Sequence, residues 1–115
     1  MHEYSIVQAL LDRVTVEAQA RGASRVVSLR ISLGELSGVD PGLLATAFDT
    51  FRERSVCEGA SLAIHQSHAV WACPRCQVPI ERGAPLRCTG CAVPARLIEG
   101  DELVLERIEM EVPDV

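Results

Sequence analysis

The sequence predicts an α+β fold in which two helices pack on a three-stranded sheet and a zinc-ribbon-like insert precedes the last strand. Three observations carry this. Apolar residues recur at helical spacing in two segments, they alternate at period two in three others, and two Cys-x-x-Cys pairs interrupt the pattern between the last two strands.

The first helix is marked by Ser5 and Gln8, a capping-box spacing, followed by Ile6, Val7, Leu10, Val14 and Ala18 on one face until Gly22 supplies a stop. Val27, Leu29, Ile31 and Leu33 then alternate with Ser28, Arg30 and Ser32, the period of a half-buried strand. Asp40 is a good N-cap with Pro41 behind it in the tolerated first position, so a second helix starts there. It is expected to bury Leu44, Ala47, Phe48 and Phe51 and to end near Arg54. After Gly59, Leu62 and Ile64 face one way and Ala63 and His65 the other, which gives a second strand over 61–69. A final strand runs from Glu102 to about Val112, and its alternation shifts around Arg107, the mark of a bulge or an edge.

Between these strands, residues 71–96 lose periodicity and offer too little apolar surface to fold alone. Cys73/Cys76 and Cys88/Cys91 stand there with eleven residues between the pairs. Each Cys-x-x-Cys turn points two sulfurs at one centre, and two such turns make the tetrahedral four-thiolate cage that Zn(II) prefers in closed structural sites. Metal binding to such a module supplies on the order of 10 kcal/mol of apparent folding energy. Gln77 and Ala92 follow the second cysteine of each pair, where the backbone tends toward positive φ and glycine is the common choice; strain of about 1 kcal/mol each is expected. The chain thus divides into an α+β unit of residues 1–70 plus 97–115 and a zinc-binding unit of 71–96.

A length of 115 residues and an apolar content of 48% suit an ordinary compact core. Net charge is −5, yet residues 69–98 carry four arginines against one acid while residues 99–115 carry one against seven. Arg75, Arg82, Arg87 and Arg96 read as compensation for the formal −2 of a zinc–tetrathiolate cage rather than as a nucleic-acid patch, since they come without interleaved aromatics. The odd cysteine, Cys57, argues against a disulfide framework, and no signal peptide or membrane span is present, so a cytoplasmic protein is expected.

His2 is the second candidate ligand. Behind a free α-amine, a histidine at position 2 presents the amine, its own amide nitrogen and its imidazole as linked five- and six-membered chelate rings, and such planar nitrogen ligation suits Ni(II) or Cu(II) rather than Zn(II). His65 and His68 precede Cys73 but read as solvated strand histidines, and Cys57 as a small buried filler. Glu35 and Asp40 bracket a glycine-containing loop where acids also serve as capping chemistry.

Met1-His2-Glu3, Ser5-Ile6, the Gly34-Glu35-Leu36-Ser37-Gly38-Val39 loop before Pro41, the Glu58-Gly59-Ala60 turn, the paired cysteines and Gly100-Asp101-Glu102-Leu103 together resemble the HypA/HybF family of hydrogenase nickel incorporation proteins, end to end. The resemblance implies a non-enzymatic nickel metallochaperone. It would hold labile Ni(II) at His2, with Met1 and Glu3 as additional ligands, and structural Zn(II) at Cys73, Cys76, Cys88 and Cys91. Its implied partners are a nickel GTPase of the HypB type and the large subunit of a [NiFe]-hydrogenase, with urease served in some members, by a monomer or homodimer. The sequence departs from the family pattern at Cys57, His68, Gln77 and Ala92. Two other classes fit the cysteine quartet taken alone: a zinc-ribbon nucleic-acid or protein binder, with salt-dependent affinity for nucleic acid, and a rubredoxin-like electron carrier with bound iron. An enzyme is not expected, because no catalytic triad, phosphate loop or open metal site is apparent.

Overall fold

The computed structural model describes residues 2–113; Met1, the side chain of His2, and residues 114–115 lie outside the described residues. Element order is α1 (His2–Ala20), β1 (Arg25–Gly34), α2 (Pro41–Phe51), β2 (Ser61–Ser67), β3 (Val70–Ala72), β4 (Pro79–Ile80), β5 (Arg96–Glu99) and β6 (Leu103–Glu111). Two three-stranded sheets result, β2-β1-β6 and β4-β3-β5. The first is the sheet expected from the alternating segments.

Helix α1 begins at His2, three residues before the expected cap at Ser5, which lies inside it. In its first turn Glu3 is buried, 6% exposed, and its Oε2 accepts the Asp40 N–H at 3.1 Å, which ties α1 to the loop before α2. Its end is the expected one. Gly22, at φ 63°, donates to Gln19 O, and Ala23 donates to Ala18 O at 2.9 Å, the paired bonds of a Schellman motif. Helix α2 is capped by Asp40 Oδ1, which accepts the Leu43 N–H at 3.0 Å. It stops at Phe51, and a turn follows in which Arg54 takes φ 61° and donates its N–H to the Glu58 carboxylate.

Val7, Leu10, Leu11, Val14 and Ala18 of α1 and Leu44, Ala47 and Phe48 of α2 close over Val26, Leu29 and Ile31 of β1. Phe51 departs from expectation: it is 41% exposed and packs edge-on against Tyr4 of α1, with ring centroids 5.4 Å apart. One turn beyond Phe48 the helix has reached the rim of the core, where an aromatic finds a partner rather than full burial. Cys57 is fully buried in this core, and burial pushes its thiol pKa up, which suits a filler and not a nucleophile.

Central strand β1 pairs parallel with β2, through α2 as the crossover, and antiparallel with β6. The β6 register passes from Arg30↔Arg107 to Ile31↔Leu105, so Glu106 is the extra residue of a bulge. This explains the shifted alternation: Leu103, Leu105, Ile108 and Met110 pack toward the core while Glu106 and Arg107 are both exposed.

The second sheet takes in Val70 and residues 97–99, just beyond the 71–96 expected for the metal insert, because Val70 pairs with Glu99 and Trp71 with Leu97. The expected second strand is correspondingly split: β2 ends at Ser67 and the chain re-enters pairing as β3. Both crossings into the insert are clamped by the loop after β1. Glu35 N–H donates to Ser67 O at 2.9 Å, Leu36 N–H to Gly100 O at 2.7 Å, and Gly34 N–H to Glu102 O at 2.8 Å. A Cβ at Gly34 would collide with the Gly100 backbone, and one at Gly100 (φ 120°) with Ala69, so both positions need glycine for the close approach itself.

Candidate metal centre

Each cysteine pair sits on a turn with the same hydrogen-bond pattern. In the first, Cys73 N–H donates to Val78 O at 3.0 Å and Gln77 N–H to Cys73 O at 2.9 Å; in the second, Cys88 N–H donates to Val93 O and Ala92 N–H to Cys88 O, both at 2.9 Å. Strand β3 delivers the first turn and the Arg87↔Pro94 bridge ties the ends of the second.

The four Sγ atoms all lie within 4.8 Å of one another, and Cys76 and Cys88 sulfurs are 3.8 Å apart. A tetrahedron of Zn–S bonds of about 2.3 Å has edges of about 3.8 Å, so the group needs only slight contraction to close on such an ion. Peptide N–H groups of Cys76 and Arg75 donate to Cys73 Sγ at 3.4 and 3.3 Å, and that of Cys91 to Cys88 Sγ at 3.4 Å. Led by the Cys76 N–H and helped by that of Arg75, the donors to Cys73 Sγ draw its thiol pKa down to about 6, while hydrogen bonding to the Cys73 and Cys76 sulfurs pushes Cys91 up to about 12. Cys73 is thus held toward thiolate, the form a metal takes, with Cys91 retaining its proton beside it. Cys73 and Cys88 are buried, Cys91 half-buried and Cys76 exposed, so one edge of the cage faces solvent.

The arginines do less here than their number suggests. Arg87 donates to the Ala92 carbonyl at 2.6 Å. Arg82 is directed away from the sulfurs, to Glu35, with Nη1–Oε1 at 2.6 Å and Nη2–Oε2 at 2.9 Å. Glu35 also accepts the Ala69 N–H and lies 3.8 Å from His68 Nδ1. The Arg82 hydrogen bonds, then that of Ala69, hold the Glu35 carboxyl at about 2 against an ordinary 4.5. A depressed carboxyl contributes its full stabilisation above 4.5 and loses it as pH falls toward 2, so this contact persists at any physiological pH.

Gln77 and Ala92 take φ 64° and 55°, as their place after each pair requires. Gln77→Gly and Ala92→Gly are each expected to stabilise the metal-loaded module by about 1 kcal/mol through relief of left-handed strain, read as slower zinc loss to a chelator. An unchanged loss rate in both would remove strain from the account.

The structure brings the four cysteines together and leaves His65 and His68 out of the group: both are exposed, and the cysteine quartet is the one assembled His/Cys/Asp/Glu cluster among the described residues. The expected ligands Met1 and His2 lie outside the described residues and side chains. Glu3 is at the start of α1, as expected for an amino-terminal motif, but its buried carboxylate also anchors the cap of α2, a role the sequence reading did not assign. No helix among the described residues is long and apolar enough to cross a membrane.

A small α+β unit carrying four cysteine sulfurs gathered about one centre, a set that would fill a tetrahedral ion's coordination, defines a metal-handling protein. Residues 1–110 match the model of the HypA family, described as hydrogenase/urease nickel incorporation metallochaperones, and the chain belongs to that family. Its relatives include the hydrogenase maturation factors HypA of Shewanella oneidensis, 40% identical with 96% of each chain covered, and of Wolinella succinogenes, 38% identical with 99% of this chain and 98% of the relative covered. The solution structure of the Ni metallochaperone HypA from Helicobacter pylori matches with a TM-score of 0.73 at 30% identity, covering 96% of this chain and 98% of that one. A second solution structure of a HypA protein matches at 0.80 and 31%, covering 98% of both.

Proposed function

We propose that the chain carries Ni(II) at its amino terminus, on His2 with Met1 and Glu3, and delivers it for [NiFe]-hydrogenase maturation, while Zn(II) held by Cys73, Cys76, Cys88 and Cys91 is structural. The supporting observation is the family match, which runs from residue 1 and so includes the Met1-His2-Glu3 opening. Residues 1–70 plus 97–115 form the nickel-carrying unit in this reading, and 71–96 the zinc-carrying one. The chain acts as a carrier and not as an enzyme, in the cytoplasm, with a nickel GTPase of the HypB type and the hydrogenase large subunit as partners. Urease is a second client, supported by the wording of the family description.

Coordination chemistry favours transfer over storage. The first peptide N–H groups of a helix have no intrahelical acceptor, so a peptide nitrogen at the start of α1 can bind Ni(II) without breaking a helical hydrogen bond. A cation there sits at the positive end of the helix dipole, which loosens the hold, and the Glu3 carboxylate offsets part of that cost. Nitrogen donors on an open end can then be displaced one at a time by an incoming ligand.

Protons compete with nickel for the imidazole and the amine, so affinity weakens as pH falls. Below about pH 6.5, the ordinary histidine value, it is expected to drop at least about tenfold per pH unit. Calorimetric titration of untagged protein between pH 5 and 8 checks this. A flat profile would rule out imidazole and amine as ligands.

A further inference from the structure

We propose that Glu35 is a positioning residue that fixes how the metal module stands on the helical unit. The module reaches that unit through two linkers, at residues 67–70 and 99–103, which are clamped by backbone bonds to the start of the loop 34–40. Those bonds hold the linkers and not the body of the module. Beyond them, Arg82 forms the one ion pair from the body of the module to the helical unit among the described residues, and its partner is Glu35. Arg82 lies in the chain segment between β4 and the second cysteine turn, so the pair acts at a distance from the linkers, where it opposes rotation about them.

The geometry suits that task. A guanidinium and a carboxylate joined by two parallel bonds fix direction as well as separation, which a single contact does not. Glu35 Oε1 also accepts the Ala69 N–H, and the Glu35 side chain is only 28% exposed although Arg82 is 61% exposed. The pair lines a cleft of about 580 Å³ together with Leu36, Val70, Trp71, Ile80 and Leu86, so residues of both units wall it. At its far end, the same loop gives the Asp40 N–H to Glu3. Glu35 therefore determines where the metal module lies relative to the start of α1, and so how both are presented to a docking macromolecule.

Residual dipolar couplings on the zinc-loaded full chain, without nickel, test this whatever the fate of the nickel assignment. In the wild type, residues of both units are expected to fit one alignment tensor. In Glu35→Gln and in Arg82→Gln the module's alignment is expected to fall to roughly half that of the helical unit or less, as when a segment averages over a wide cone. Zinc content should stay unchanged. Arg82→Gln alters an exposed side chain and keeps the test decisive if the Glu35 variant folds poorly. One tensor in the Arg82 variant would overturn the proposal.

Discussion

His2→Ala is expected to lower nickel affinity by at least about 100-fold, or about 2.7 kcal/mol, while leaving one zinc per chain. The magnitude follows from chelation. Removing the imidazole opens the six-membered ring, and the remaining amine and peptide nitrogen no longer complete a planar set. The closed sulfur cage takes no part, because all four of its ligands come from residues 73–91 and none from α1. Calorimetry of the untagged variant, with zinc measured on the same sample, reads both metals at once. Wild-type nickel affinity in that variant would remove His2 from the site. Glu3→Gln is a different substitution in kind, since the Glu3 carboxylate also secures α1 to the cap of α2.

The second large effect is loss of the zinc. Cys73→Ser, or stripping by a strong chelator, is expected to unfold the metal module while leaving the α+β core in place. The module has little else to hold it. Its sheet comprises strands of three, two and four residues, and Val78, Leu86 and Ile98 are exposed. Structural zinc in comparable small modules is worth about 10–16 kcal/mol of apparent folding energy. The α+β unit draws on a separate core, with Phe48, Leu29, Ile31 and Val14 all fully buried. Amide exchange should therefore collapse to unprotected rates over 71–96 and remain slow in β1 and α2. Retained protection in the stripped module would show that its backbone bonds suffice without metal.

Much of this architecture was legible in the sequence because its signals are local. Asp40 with Pro41 caps α2, Gly22 ends α1, and the alternating run from Val27 became the central strand. The cysteine spacing was legible for the same reason: four ligands in two short turns carry their geometry with them. What was not legible depends on contacts distant along the chain. Glu3 reads as one acid of an amino-terminal motif, and only the meeting of residues 3 and 40 shows that its carboxylate holds a helix cap. Ser5 satisfies a capping rule, yet the helix already runs through it from His2. Arg82 reads as compensation for thiolate charge until its side chain is seen 47 residues from its partner in sequence, on Glu35. Phe51 fits the helical period but lies past the end of the core, where Tyr4 receives it.

The central claim is that one chain handles two metals in two ways, labile nickel on the amino terminus and resident zinc on the cysteines. Metal analysis of nickel-loaded, desalted protein with a free or an acetylated α-amine tests it most directly. The account predicts one zinc per chain in both forms, and one nickel in the free form against almost none in the acetylated one. Full nickel in the acetylated protein, or nickel gained at the expense of zinc, would contradict it.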